Sequence, residues 1–427
     1  MTEKMSGFGN HFSSEVMPGV LVSGQNNPQK IKDDLYAEQL SGTAFTAPRG
    51  ENRRTWMYRA LPSVARVTEQ ENVIFDNFAA AAEVQDAGPV PMRWSPRPMP
   101  EADCDFLDGL MTLGKDSESI EAVNISVHSY ALNKGMENRA FKNHDGELLV
   151  VPYAGKIEII TELGKFTLAP TEIALIPRGM TFKVDLLEGP SAGYICENHG
   201  KAFRLPDLGP IGANGLANPK DFLVPDAKIE KDGVYDIYSK YRDRMWVSRG
   251  VPTPFDVYGW HGNLVPYKFE LENFVTFGSI SVDSPDPSIN TVLTSPSHEV
   301  GTANIDFVAF CPRWQVMENT FRPPYFHRNV MSEFMGSVQG VYEGKATGFA
   351  PGGVSLHNRM VPHGPDLDTY QNGITNELAP HKLDNTYAFM FESRLPILPT
   401  KCAVESGWRQ RDYLQCWDGF RKRAVNQ

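Results

Sequence analysis

Apolar side chains in this chain rarely recur at the 3.6-residue spacing of a helix. From about residue 120 they form short runs closed off by glycine and proline: 120–132, 147–153, 156–161, 165–168, 173–176 and 181–186. Turn sequences such as Glu162-Leu163-Gly164-Lys165 and Pro177-Arg178-Gly179-Met180 lie between them. Short runs ending at such turns predict an antiparallel β-sandwich or barrel. A second series starts near Asn273, over 274–282, 290–294, 303–310, 314–321, 336–343 and 388–393. Proline-rich loops at 284–288, 322–325 and 395–400 punctuate it. The pattern predicts an all-β-dominated chain of two related β units with a few short helices.

The first hundred residues keep neither period. Turn formers recur every few positions, yet Trp56, Tyr58 and Trp94 supply apolar anchors. An irregular arm that wraps the rest of the protein, or another subunit, fits that mixture. At the other end Tyr413, Cys416, Trp417 and Phe420 recur at i, i+3, i+4 and i+7. They predict a helix over 411–424, with Arg421, Lys422 and Arg423 in its last turn. The two β series also echo one another. LAPTEIALIPRG (168–179) and FAPGGVSLHNRMVPHG (349–364) both end in Pro-x-Gly, which sets Arg178 where the second copy has His363.

Composition narrows the function classes. With 41% hydrophobic and 22% charged residues, the 427-residue chain has the makings of a sizeable core and is not disordered. Its 36 glycines and 32 prolines agree with many turns. A net charge of −11 repels phosphate backbones and anionic lipid, so neither nucleic acid nor a membrane is an expected partner. The five cysteines are scattered, with no CxxC pair, and read as reduced thiols. The N-terminus has no apolar signal run, and no apolar stretch approaches 18 residues. A soluble cytoplasmic protein is expected.

The candidate chemistry is concentrated late in the chain. His327, His357 and His363 cluster there, with Glu333 between the first two. Two imidazoles and one carboxylate make a facial triad, which holds a divalent iron on one face and leaves the other positions open. His327 and Glu333 point the same way if one strand carries both, since an even separation preserves the face. Ligand type alone leaves zinc or manganese open. Other templates fail: there is no Walker A loop and no GxGxxG, and GGVSLH lacks the second glycine of a nucleophile elbow. The run Lys240-Tyr241-Arg242-Asp243-Arg244-Met245-Trp246 reads as a solvated or subunit-contacting face.

Longer strings carry a resemblance. GFGN-x-FSSE, GQNNPQ, LYAEQLSGTAFTAPR, PDPSI-x-TVLT, TFRPPYFHRNVMSEFMG, FAPGG-x-SLH, PHGPD and AFMFES resemble the homogentisate 1,2-dioxygenase family from about residue 7 to residue 420. The resemblance implies a cupin-type β fold and a hexamer built as a dimer of trimers. It implies an Fe(II) enzyme that uses O2 to open homogentisate to maleylacetoacetate in tyrosine and phenylalanine breakdown. On that basis residues 1–279 form the arm and a degenerate, metal-free β-sandwich unit, and 280–427 form the cupin-like unit with the iron. The implied ligands are His327, Glu333 and His363, the same three that the cluster offers. Tyr342, Lys345 and His363 fall at substrate-contacting positions, and a cation beside a phenol suits a carboxylate. His357 matches a further active-site histidine.

One departure stands out. Ser284, in VDSPDPSI, occupies the place of the family's proton-accepting histidine, and serine has no basic nitrogen. His357, Asp283 and His298 are candidates to replace it. His11 stands where the family commonly has glutamate and reads as a surface or interface change. The departure keeps two alternatives in view: a relative that cleaves another 2,5-dihydroxyaryl carboxylate, and a metal-bearing cupin that binds aromatic acids without cleaving them.

Overall fold

The computed structural model describes residues 4–119, 122–208, 216–342, 344 and 348–423. Strands dominate it, in sheets of fourteen, six, four and two strands among the described residues. The all-β-dominated expectation holds. The larger sheet is built on two long antiparallel strands, Glu147–Thr161 and Thr181–Asn198, flanked by Ile125–Leu132. Every residue of Ile125–Leu132 is buried, its polar Ser126, His128 and Ser129 included, so the strand is covered on both faces. Residues 120 and 121 of the first sequence run lie outside the described residues.

The six-stranded sheet carries the cluster of histidines. In chain order its strands are β1 (Met92–Trp94), β2 (Thr291–Pro296), β3 (Ala303–Phe310), β4 (Ser332–Gln339), β5 (Val354–His357) and β6 (Tyr387–Ser393). They lie in the order β2–β3–β6–β4–β5–β1, all antiparallel. Gly336 on β4 leaves room for the ring of its cross-strand partner Phe389 on β6, which a Cβ there would meet at 2.4 Å. One apolar core runs through both halves of the chain. Tyr194 of the larger sheet ties them: its hydroxyl reaches the carbonyls of Ser337 and Gly353, and its ring packs edge-on against Phe389.

The N-terminal arm is more regular than its sequence. Phe12–Glu15, Tyr36–Ser41 and Arg54–Arg59 form a four-stranded sheet with the later strand Val257–Gly262, and β1 adds an edge strand to the six-stranded sheet. Tyr36–Ser41 and Arg54–Arg59 pair with each other, but Phe12–Glu15, the other edge of Arg54–Arg59 and β1 take their ladder from distant partners, which local periodicity does not reveal. Arg59 anchors the arm. It is fully buried, and its guanidinium is neutralised by Asp256 and Glu162, both at 2.9 Å, as a buried cation requires.

Three further expectations need correction. Residues 274–282 form no strand. The helix over 411–424 is only a 3-10 turn, Tyr413–Trp417; residues 424–427 lie outside the described residues. Its apolar positions serve separate partners, with Trp417 donating to the Pro365 carbonyl and Phe420 packing on Phe326, and Gly419 at φ +98° ends any helix. The basic run at 240–246 is not a solvated face throughout. Lys240 is fully buried and held by Glu197, Asp145 and Asp243, while Arg242 and Asp243 make the hairpin turn with positive φ.

The internal echo has a structural counterpart. Ile176 pairs with Leu148 in the first copy as His357 pairs with Glu333 in the second. Thr171 and Gly352, which correspond, both take positive φ. The extra residues Asn358–Val361 then bring His363 back to bridge His327, whereas Arg178 turns outward to the His199 carbonyl.

Candidate metal centre

Glu333 sits near the start of β4, its neighbour His357 on one side and Glu392 on the other. His327 lies before that strand, and bends at Val330 and Met331 separate it from Glu333. Strand parity therefore does not explain their meeting. What brings the ligands together is a β-bridge: His327 N donates to the His363 carbonyl at 3.0 Å, and His363 N to the His327 carbonyl at 3.1 Å. One ligand atom from each of His327, Glu333 and His363 then lies within 4.8 Å of the others.

The imidazoles are oriented from behind. His327 Nδ1 is 2.8 Å from the Tyr325 carbonyl, and His363 Nδ1 is 3.0 Å from the Val361 carbonyl. A carbonyl only accepts, so each Nδ1 carries the proton and each Nε2 is directed at the shared carboxylate. His363 Nε2 stands 2.9 Å from one Glu333 oxygen, and His327 Nε2 stands 3.4 Å from the other. Burial opposes the charge on Glu333, but hydrogen bonds from His327 and His363 outweigh it and hold the carboxyl well below its usual range. The same contact with Glu333 raises His327. In these hydrogen bonds Nε2 is the donor; a divalent ion would take the place of the Nε2 protons, and two Nε2 atoms with a carboxylate on one wall then fit it in a facial arrangement.

That wall borders a cavity of about 510 Å³. Ser284, Tyr342 and His357 line it together with the three ligand residues, so these sequence candidates share one chamber. Tyr342 is framed by Phe310 and Phe349, at ring distances of 5.6 and 6.1 Å. Ser284 donates its hydroxyl to the Phe321 carbonyl at 3.0 Å. His357 is buried, stacked on His363. Lys345 lies outside the described residues. Asp283 and His298 are exposed and do not line the cavity, and His11 is exposed as well.

Sequence profiles decide the family. That of the homogentisate 1,2-dioxygenase N-terminal domain matches residues 3–271, and that of the C-terminal domain matches residues 272–424. The chain belongs to the homogentisate 1,2-dioxygenase family.

Solved structures of other proteins resemble it only loosely. A cupin 2 conserved barrel domain protein from Leptotrichia buccalis shares 9% identity over 67% of this chain and 88% of its own, with a TM-score of 0.31. The protein Ylba from E. coli shares 11% over 74% and 96%, at 0.33. A deletion mutant of Bacillus subtilis oxalate decarboxylase shares 10% over 74% and 79%, at 0.32. Likenesses at these scores carry no argument about the site.

For a member of the homogentisate 1,2-dioxygenase family, the chamber holds acids that reading the sequence had passed over. Asn329 donates to Glu333 at 3.0 Å and to Glu392 at 2.6 Å, holding the two carboxyls side by side. Asp306, across from Glu392 on β3, also borders the cavity. Burial pushes Glu392 up to about 7, against the hydrogen bond from Asn329, and Asp306 up to about 6. A lone acid inside an apolar strand, as in ANIDFVAF and AFMFES, was the available signal.

Proposed function

We propose that this chain is an Fe(II)-dependent ring-cleaving dioxygenase that takes homogentisate and O2 to maleylacetoacetate in tyrosine and phenylalanine catabolism. What carries the reading is that His327, Glu333 and His363 converge on the wall of a large chamber in a chain of this family. These three would hold the ion. When bound, Fe(II) supplies a Lewis-acidic, redox-active centre with positions open to a phenol oxygen and to O2.

The chain's own residues orient the substrate and handle its protons. Tyr342, fixed between Phe310 and Phe349, offers a phenol to the acetate group, and family likeness adds Lys345 and His363 to that pocket. Such charge-assisted hydrogen bonds to a carboxylate are the strong ones. The ring hydroxyl must lose a proton, and Ser284 at the acceptor position cannot keep one. His357 is the remaining imidazole on the cavity wall. Ser284 also favours a second reading, in which the preferred substrate is another 2,5-dihydroxyaryl carboxylate.

We further read the protein as a cytoplasmic homo-oligomer, a hexamer built from trimers, which the family likeness supports. No described helix is long and apolar enough to cross a membrane. Oxygen uptake by the Fe(II)-reconstituted protein, with homogentisate beside a panel of dihydroxyphenyl acids, tests the reading.

A further inference from the structure

A line of buried side chains runs from the N-terminal arm to one of the three ligands. Arg93 on β1 pairs its backbone with Ser355 on β5, two residues before His357. Its guanidinium lies 4.2 Å from the centre of the Tyr413 ring, and its Nε donates to the Gln410 side chain at 2.6 Å. Tyr413, only 2% exposed, sets its hydroxyl 3.0 Å from His357 Nε2. His357, also 2% exposed, lies flat on His363, with ring centres 4.1 Å apart and planes 6° from parallel.

We infer that Tyr413 is a positioning residue, which fixes the His357 ring and through it the plane of the His363 imidazole. The inference rests on the reading of His327, Glu333 and His363 as the ligands of a divalent ion. The Val361 carbonyl at Nδ1 and Glu333 at Nε2 hold the two ends of the His363 imidazole but leave the ring free to rock about the axis through them. A parallel slab against its face removes the rocking, provided the slab itself is held. The Tyr413 hydroxyl holds it. Phenylalanine would fill the same space beneath Arg93 without carrying a polar atom into a site this buried, where an unmade hydrogen bond is costly. What the hydroxyl adds is direction. Gln410, which accepts from Arg93, also donates to the Gly348 carbonyl at 2.8 Å.

The test is a Co(II) titration of the metal-free full-length chain, followed by the d–d absorption of the bound ion. Wild type, Tyr413→Phe, His357→Phe, the double variant and His363→Ala are compared. Changing a residue behind a ligand typically costs 10–100-fold in affinity, and Tyr413, one step further back, is expected to cost about tenfold and to alter the d–d envelope. In the His357→Phe background, removing the Tyr413 hydroxyl is expected to cost nothing more, since its partner is gone. A loosened core would weaken both backgrounds alike. Wild-type affinity and spectrum in Tyr413→Phe overturn the inference, as does an equal loss in the two backgrounds. A wild-type chain that takes up no Co(II), or a His363→Ala chain that takes it up equally well, overturns the metal reading itself and the inference with it.

Discussion

His327 and His363 exchange both of their backbone hydrogen bonds, at 3.0 and 3.1 Å, although one precedes β4 and the other follows β5. The isolated bridge sets two imidazoles side by side, ring centres 4.1 Å apart, over the carboxylate of Glu333. The ligand set is therefore held by backbone pairing as well as by the hydrogen bonds behind each ring.

Replacing one ligand leaves two, too few for a facial site. His327→Ala, Glu333→Ala and His363→Ala are each expected to lose stoichiometric iron and most turnover while keeping the β core. Metal analysis with circular dichroism checks this. Full iron content and normal turnover in His363→Ala would show that the ligand assignment is wrong.

Tyr342→Phe is expected to act on binding. A hydrogen bond to a charged partner contributes about 1.5–3 kcal/mol, so the apparent affinity for homogentisate falls roughly tenfold or more. Steady-state kinetics decides, and an unchanged KM contradicts the contact role.

Ser284 leaves the proton without its usual acceptor. General-base assistance is typically worth about 10²–10⁴-fold. The native chain is therefore expected to be slow near neutral pH and to speed up as pH rises. Ser284→His is expected to raise turnover and flatten that rise, since an imidazole with a pKa near 6.5 is already mostly neutral at pH ~7.5. Equal turnover and equal pH dependence in the two proteins would mean that no base is missing here.

Glu392 gives a stability signature. Its folded value of about 7 lies above the ordinary 4.5 because of burial. The native state therefore binds this proton more tightly than the unfolded chain does, and stability falls as pH rises from about 4.5 to about 7. At roughly 1.4 kcal/mol per unit the loss is on the order of 3 kcal/mol. Glu392→Gln keeps an acceptor for Asn329 but cannot ionise, so its melting temperature is expected to drop less between pH ~5 and pH ~8 than that of the metal-free parent. Equal drops would place the proton elsewhere.

Much of this was legible in the sequence, for physical reasons. Period-2 and fully apolar runs mark strands whose burial is local, and Glu147–Thr161 and Thr181–Asn198 cover three of the six runs read there. Strands that depend on distant partners are silent: Met92–Trp94 takes its ladder from β5, on the far side of the chain. The three ligands announced themselves by residue type, but the strand-parity argument for His327 and Glu333 failed because the chain bends between them. Tyr413 was read as one face of a helix. Its ring goes instead to Arg93 and its hydroxyl to His357, contacts that no 3.6-residue period encodes.

The central claim is best tested with the purified chain loaded with Fe(II), its oxygen consumption and the absorbance of the open-chain product recorded together on adding homogentisate. The account predicts one O2 consumed per homogentisate cleaved, abolished in Glu333→Ala. A chain that retains its iron yet consumes no oxygen with homogentisate, at any pH where it stays folded, would contradict it.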